Sequence, residues 1–200
     1  MNRAYAFGWM LLSMVVVLVA CEEPLQVPKP RAYPKVVYPE KAYKVAEQSY
    51  CTFSFEQPTY AVLERDSTFF EDKAGSDCWF NLTVPQLDAT IHCSYYPVTS
   101  RARFDELIND AFEMANKHNI KANYIEEIPF GSPERRVYGM VYNIDGPTAS
   151  SYQFYATDST RHFLRGALYF RTQSRPDSLA PVVAFMKEDV NRLLASLQWK

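Results

Sequence analysis

The side chains best suited to reactive chemistry in this chain are three histidines and four cysteines. His92, His118 and His162 are scattered, without the short fixed spacings at which nitrogen and sulfur ligands hold zinc. Neither a G-x-S-x-G elbow, a phosphate-cradling loop nor a C-x-x-C pair occurs. Suitable types converge only around His92, with Thr90 and Ser94 two residues to either side and Asp88 and Glu56 as conceivable carboxylates to orient the ring. An imidazole held that way acts as a general base toward a hydroxyl. A strand histidine that merely hydrogen-bonds a neighbour has the same pattern. The residues therefore give no catalytic constellation, and neither an enzyme nor a bound cofactor or metal is expected.

The cysteines point elsewhere. Cys21 closes an almost uncharged run from Ala4 to Val19 that follows Arg3, and Leu18-Val19-Ala20-Cys21 reads as a lipobox. A basic start, an apolar core and a small residue before the cysteine make residues 1–20 a lipoprotein signal peptide. Cleavage would leave Cys21 as a new N-terminus carrying acyl chains such as palmitate, each buried methylene contributing about 0.8 kcal/mol. The competing reading is an uncleaved transmembrane helix, but Glu22-Glu23 follow the run where a stop-transfer cluster of Lys or Arg would be needed. Of the other cysteines, Cys93 alternates with Ile91 and Tyr95 as a core thiol would. Cys51 and Cys78 open two aromatic-rich segments and are the best candidates for a disulfide in an oxidising compartment, although sequence alone fixes no connectivity.

Charge excludes one class of partner. The net charge of the chain is −2 and becomes −3 once Arg3 leaves with the signal peptide, without the clustered basic surface that nucleic acid demands. One local exception is Arg165, Tyr169 and Arg171, which share a strand face and with Arg175 form a basic, aromatic-bearing patch. Such a face grips an acidic partner or a glycan. It is also what the solvated side of any strand looks like.

These residues must be positioned by regular elements. Five prolines between Pro24 and Pro39, mixed with Lys and Arg, make 21–45 an extended tether, since proline removes a backbone donor and fixes φ. The domain is expected over 46–200. Alternation marks strands at 51–55, 60–63, 79–84 and 89–95, the last with Thr90, His92 and Ser94 on one face and Ile91, Cys93 and Tyr95 on the other. After a Thr99 or Ser100 cap, apolar residues from Phe104 to Ala115 recur at helical spacing, and Asn119 is the expected left-handed stop. Strands at 122–130, 135–144, 151–157 and 162–172, joined by short turns, form a meander. A last helix carries Val182, Met186, Val190, Leu193 and Leu197 in a stripe, with Glu188 and Arg192 spaced as an ion pair. The fold class is α+β, an antiparallel sheet flanked by helices.

The segments 51–61, 78–82 continuing to 89–92, and 176–181, together with the lipobox, resemble the gliding-motility lipoprotein GldD family of Bacteroidota. The resemblance covers nearly the whole expected domain. It implies an envelope lipoprotein, anchored most naturally in the outer membrane, that works with other motility and type IX secretion proteins and brings no catalytic residues. The element order is also similar to the PsbP/Mog1 type of α/β/α sandwich. Two functions follow as expectations: a non-enzymatic interaction component of that apparatus, or a small glycan-acting hydrolase or ligand-binding domain with a pocket at His92.

Overall fold

Alternating burial along the strands and one apolar stripe on each helix assemble the domain. The computed structural model describes residues 35–46, 50–66, 68–69, 72–73, 76–172 and 176–200. The signal peptide, Cys21 and Arg175 lie outside the described residues. In chain order the strands are β1 (Tyr43–Val45), β2 (Phe53–Ser54), β3 (Glu56–Pro58), β4 (Val62–Arg65), β5 (Thr68–Phe69), β6 (Asp72–Lys73), β7 (Phe80–Val84), β8 (Ala89–Pro97), β9 (Tyr124–Ser132), β10 (Val137–Asp145), β11 (Ser150–Thr157), β12 (His162–Phe170) and β13 (Gln198–Trp199). The helices are α1 (Arg101–Asn116) and α2 (Pro176–Ser196).

The main sheet has seven antiparallel strands in the order β4-β7-β8-β12-β11-β10-β9. Strands β9 to β12 form the expected meander, and β8 pairs with β12 to join it to the first half of the domain. Leu164 packs in the cluster holding Met186, Val190 and Leu193 of α2, whereas its neighbour Phe163 packs with Phe104, Leu107 and Ala111 of α1. Consecutive strand residues face opposite ways. The two helices therefore cover opposite faces, as the α+β reading requires. On the α2 side a Cβ at Gly166 would stand 2.3 Å from the ring of its cross-strand partner Phe154, so only glycine lets that ring lie over β12.

Three local expectations are revised. The Ser100 hydroxyl caps α1 by accepting from the Arg103 N–H at 3.1 Å, but no left-handed residue ends the helix at Asn119. Instead Lys117 stays right-handed and Lys117–Ile120 tighten into a 3-10 turn, so that the His118 carbonyl accepts from the Lys121 and Ala122 N–H groups. Arg192 pairs with Glu56 at 2.5 Å rather than with Glu188, which lies 3.7 Å from Lys41.

The third revision concerns the tether. The compact unit begins at Val36, so residues 36–45, assigned to the tether by composition, pack on the domain. Val36 packs against the core, the Gln86 side chain donates to the Val37 carbonyl at 2.9 Å, and β1 pairs with β3. Lys41 Nζ meets the fully buried Asp189 at 2.6 Å, and the hydroxyls of Tyr43 and Tyr60 donate to the same carboxylate at 3.0 and 2.9 Å. Pro39 disfavours helix and central strand in this strap. It does not stop the other side chains from serving a buried charge on α2.

Candidate functional site

Helix α1 does not fill its side of the sheet. Phe104, Leu107, Ala111 and Ala115 pack toward β10, β11 and β12, leaving Met114 at the border 38% exposed. Beside it, over β7, β8 and β12, a cavity of about 500 Å³ is lined by His92, Ser94, Tyr96, Arg165, Tyr169, Trp79 and Asp66, with Met114, Gly166 and Ala167 completing the wall. A volume of that size suits a small-molecule site.

Strand register brings these side chains together. His92 on β8 lies opposite Asn81 on β7 and Ala167 on β12, and Ser94 lies opposite Arg165. Ile91, Cys93 and Tyr95 between them are buried on the α2 side, as the alternation requires. Asn81 Nδ2 donates to Asp66 Oδ2 at 3.2 Å, which turns its carbonyl oxygen toward His92 Nδ1 at 2.6 Å. Nδ1 must then carry the proton, and Nε2 is the free acceptor. Burial holds the His92 pKa below its ordinary value, outweighing the opposing pull of Asp66. At neutral pH the ring is uncharged. Its edge meets the Tyr169 ring, with centroids 5.5 Å apart.

The other polar group on this wall is Arg165. Burial lowers its pKa, with Tyr96, Tyr169 and Asp110 pulling the other way, but a guanidinium stays protonated regardless. Arg103 and Arg65, nearby on the surface, pair with Glu106 and Asp77. Arg165 makes no hydrogen bond or ion pair with any other of the described residues.

The structure thus joins His92, Arg165 and Tyr169 in one cavity; Arg171, whose charge also lowers the His92 pKa, does not line it and is exposed beyond the end of β12 with its N–H bonded to the Asp88 carbonyl. Glu56 is ion-paired with Arg192 and Asp88 sits in a left-handed turn at φ 48°, so neither carboxylate orients His92. Asp66 does so through Asn81. Sequence reading missed Asn81, Asp66, Trp79, Tyr96 and Met114; alternation with Phe80 and Leu82 is the one signal that put Asn81 on this face. His92 has no bonded hydroxyl or thiol among the described residues. Elsewhere, Cys51 and Cys78 form a disulfide with Cα atoms 5.5 Å apart, and burial pushes the free Cys93 thiol far up, leaving it inert. His162 is buried, stacked on Trp199 at 5.0 Å and bonded to the Tyr95 hydroxyl at 2.8 Å. Among the described residues no cluster of His, Cys, Asp and Glu suits a metal ion, and no helix is long and apolar enough to cross a membrane.

Comparison with known proteins adds the family. No curated protein sequence matches the chain. Among solved structures, the solution structure of cyanobacterial PsbP (CyanoP) from Synechocystis sp. PCC 6803 is similar at 9% identity and a TM-score of 0.47, over 87% of this chain and 100% of that one. The model of the gliding motility lipoprotein GldD family matches residues 23–199. A match of that extent takes in every described element up to Trp199, and the chain accordingly belongs to the gliding motility lipoprotein GldD family, whose members are lipid-anchored proteins of the cell envelope.

Proposed function

We propose that the protein is a non-enzymatic interaction component of the gliding motility machinery and of type IX secretion, anchored through lipidated Cys21 in the outer membrane. The family match over 23–199 carries this reading. The test is affinity capture of the full-length lipoprotein from detergent-solubilised envelopes. Co-purification of motility or secretion components is expected; their absence, under conditions that keep other envelope complexes intact, would sink the proposal.

The cavity favours a second reading, a ligand-binding domain that acts through the pocket at His92. It predicts that His92→Ala folds normally and loses function, and normal gliding by that variant would remove it.

A further inference from the structure

Arg165 is a charge with no hydrogen-bonded or ion-paired partner among the described residues. It lines the cavity, lies on the central strand pair β8–β12, and has neither a carboxylate nor a carbonyl bonded to it among the described residues. A partly buried guanidinium left unpaired costs stability, because part of its hydration is removed and nothing replaces it. Arg65, Arg101, Arg103, Arg135 and Arg192 are all bonded to protein partners. The planar fork of an arginine suits bidentate pairing with a carboxylate.

The rest of the wall narrows the ligand. Trp79, Tyr96, Met114, Ala167 and Tyr169 offer apolar surface to an aromatic or aliphatic body. A dianion is disfavoured: His92 is neutral, and Arg165 is the one guanidinium among the described residues of the wall. His92 Nε2, with Nδ1 committed to Asn81, can accept a hydrogen bond from the ligand's far end. We propose that the cavity binds a single carboxylate borne on an apolar body, the carboxylate held by Arg165 and the body packed between Trp79, Tyr96 and Tyr169. This rests on the pocket reading and is independent of any role in secretion. The carboxylate comes either from a small organic acid or from the C-terminus of a polypeptide.

Ligand-observed saturation-transfer NMR on the full-length protein in detergent micelles tests this with three probes: 3-phenylpropionate, its neutral amide, and N-acetyl-phenylalanine as a mimic of a polypeptide end. The acids are expected to bind saturably at about millimolar affinity or better, and the amide about tenfold more weakly. Arg165→Met should weaken the acids by a similar factor while leaving the amide unchanged, and Ala167→Leu, which fills the cavity, should abolish binding of all three. Unaltered thermal melts show that each variant is folded. Tighter binding of N-acetyl-phenylalanine assigns the site to a polypeptide end, and tighter binding of 3-phenylpropionate to a small acid. Equal binding of acid and amide, or indifference to Arg165→Met, overturns the carboxylate while leaving the pocket. No saturable binding by any probe overturns both.

Discussion

Asp158 shows how much one carboxylate can organise. It accepts from the backbone N–H groups of Thr160, Arg161 and His162 at 3.0, 2.7 and 2.9 Å and from the Thr160 hydroxyl at 2.7 Å, closing the turn between β11 and β12. Burial alone would raise its pKa, but those four bonds outweigh it and hold the carboxyl well below the usual range. A depressed carboxylate contributes stability that is present above the unfolded pKa of about 4 and is lost as the pH falls below it. The histidines add to the same trend earlier in the titration. Burial lowers the pKa of His92, His118 and His162 in the folded state, so below about pH 6.5 the unfolded chain takes up protons that the native one resists. Urea unfolding is therefore expected to show stability declining from neutral pH downward and steepening below about pH 4. Asp158→Ala should cost about 1–3 kcal/mol at neutral pH and flatten the steep part; a slope identical to wild type would contradict this account. For the disulfide, Cys51→Ser with Cys78→Ser should cost about 2–4 kcal/mol in the same assay, because a link across 27 residues restricts the unfolded chain.

Among elements, the strap and α2 are coupled through Asp189. The carboxylate is fully buried, and its attraction for Lys41 offsets desolvation only while the hydroxyls of Tyr43 and Tyr60 are also in place. Those hydroxyls respond in kind, burial and the adjacent carboxylate pushing Tyr43 up to about 12 and Tyr60 further. Lys41→Met should cost about 3–5 kcal/mol by leaving the charge unpaired, whereas Lys41→Met combined with Asp189→Leu should recover most of that loss. A chemical-denaturation double-mutant cycle reads the coupling, and additive losses would show that the clasp contributes nothing. Sequence could not reveal it. Composition showed that the prolines up to Pro39 disfavour a place in the central ladder, but the partner charge lies 148 residues away along the chain. Alternation, by contrast, is local, and it placed His92 opposite Ile91 and Cys93 correctly and set Arg165 and Tyr169 on one face. The remainder of the pocket depends on β7 meeting β8 in one register and on α1 stopping short of covering the sheet. Both are tertiary facts with no short-range signature.

For the molecule as a whole, the lipid anchor decides where the domain can act. Cys21→Ser is expected to block incorporation of labelled palmitate and to release the protein from the membrane fraction into the soluble fraction, with loss of gliding; an unlipidated protein that remains bound and functional would overturn the anchoring at Cys21. The α+β class was legible because each half of the chain carries its own periodicity, strands at period two and helices near 3.6. The extent of the domain was not, since a segment outside the main sheet and the helices can still belong to the packed unit.

That strap fixes where mechanical load enters. If the chain is held by its lipid while a partner pulls on the domain, tension runs from Cys21 toward Val36 and meets the Lys41 contact and the three-residue strand β1 before any strand of the main sheet. The first contacts to bear the load then lie outside the sheet, and releasing the strap would lengthen the leash by about ten residues, roughly 30 Å of reach, before any strand that lines the cavity at Arg165 is pulled.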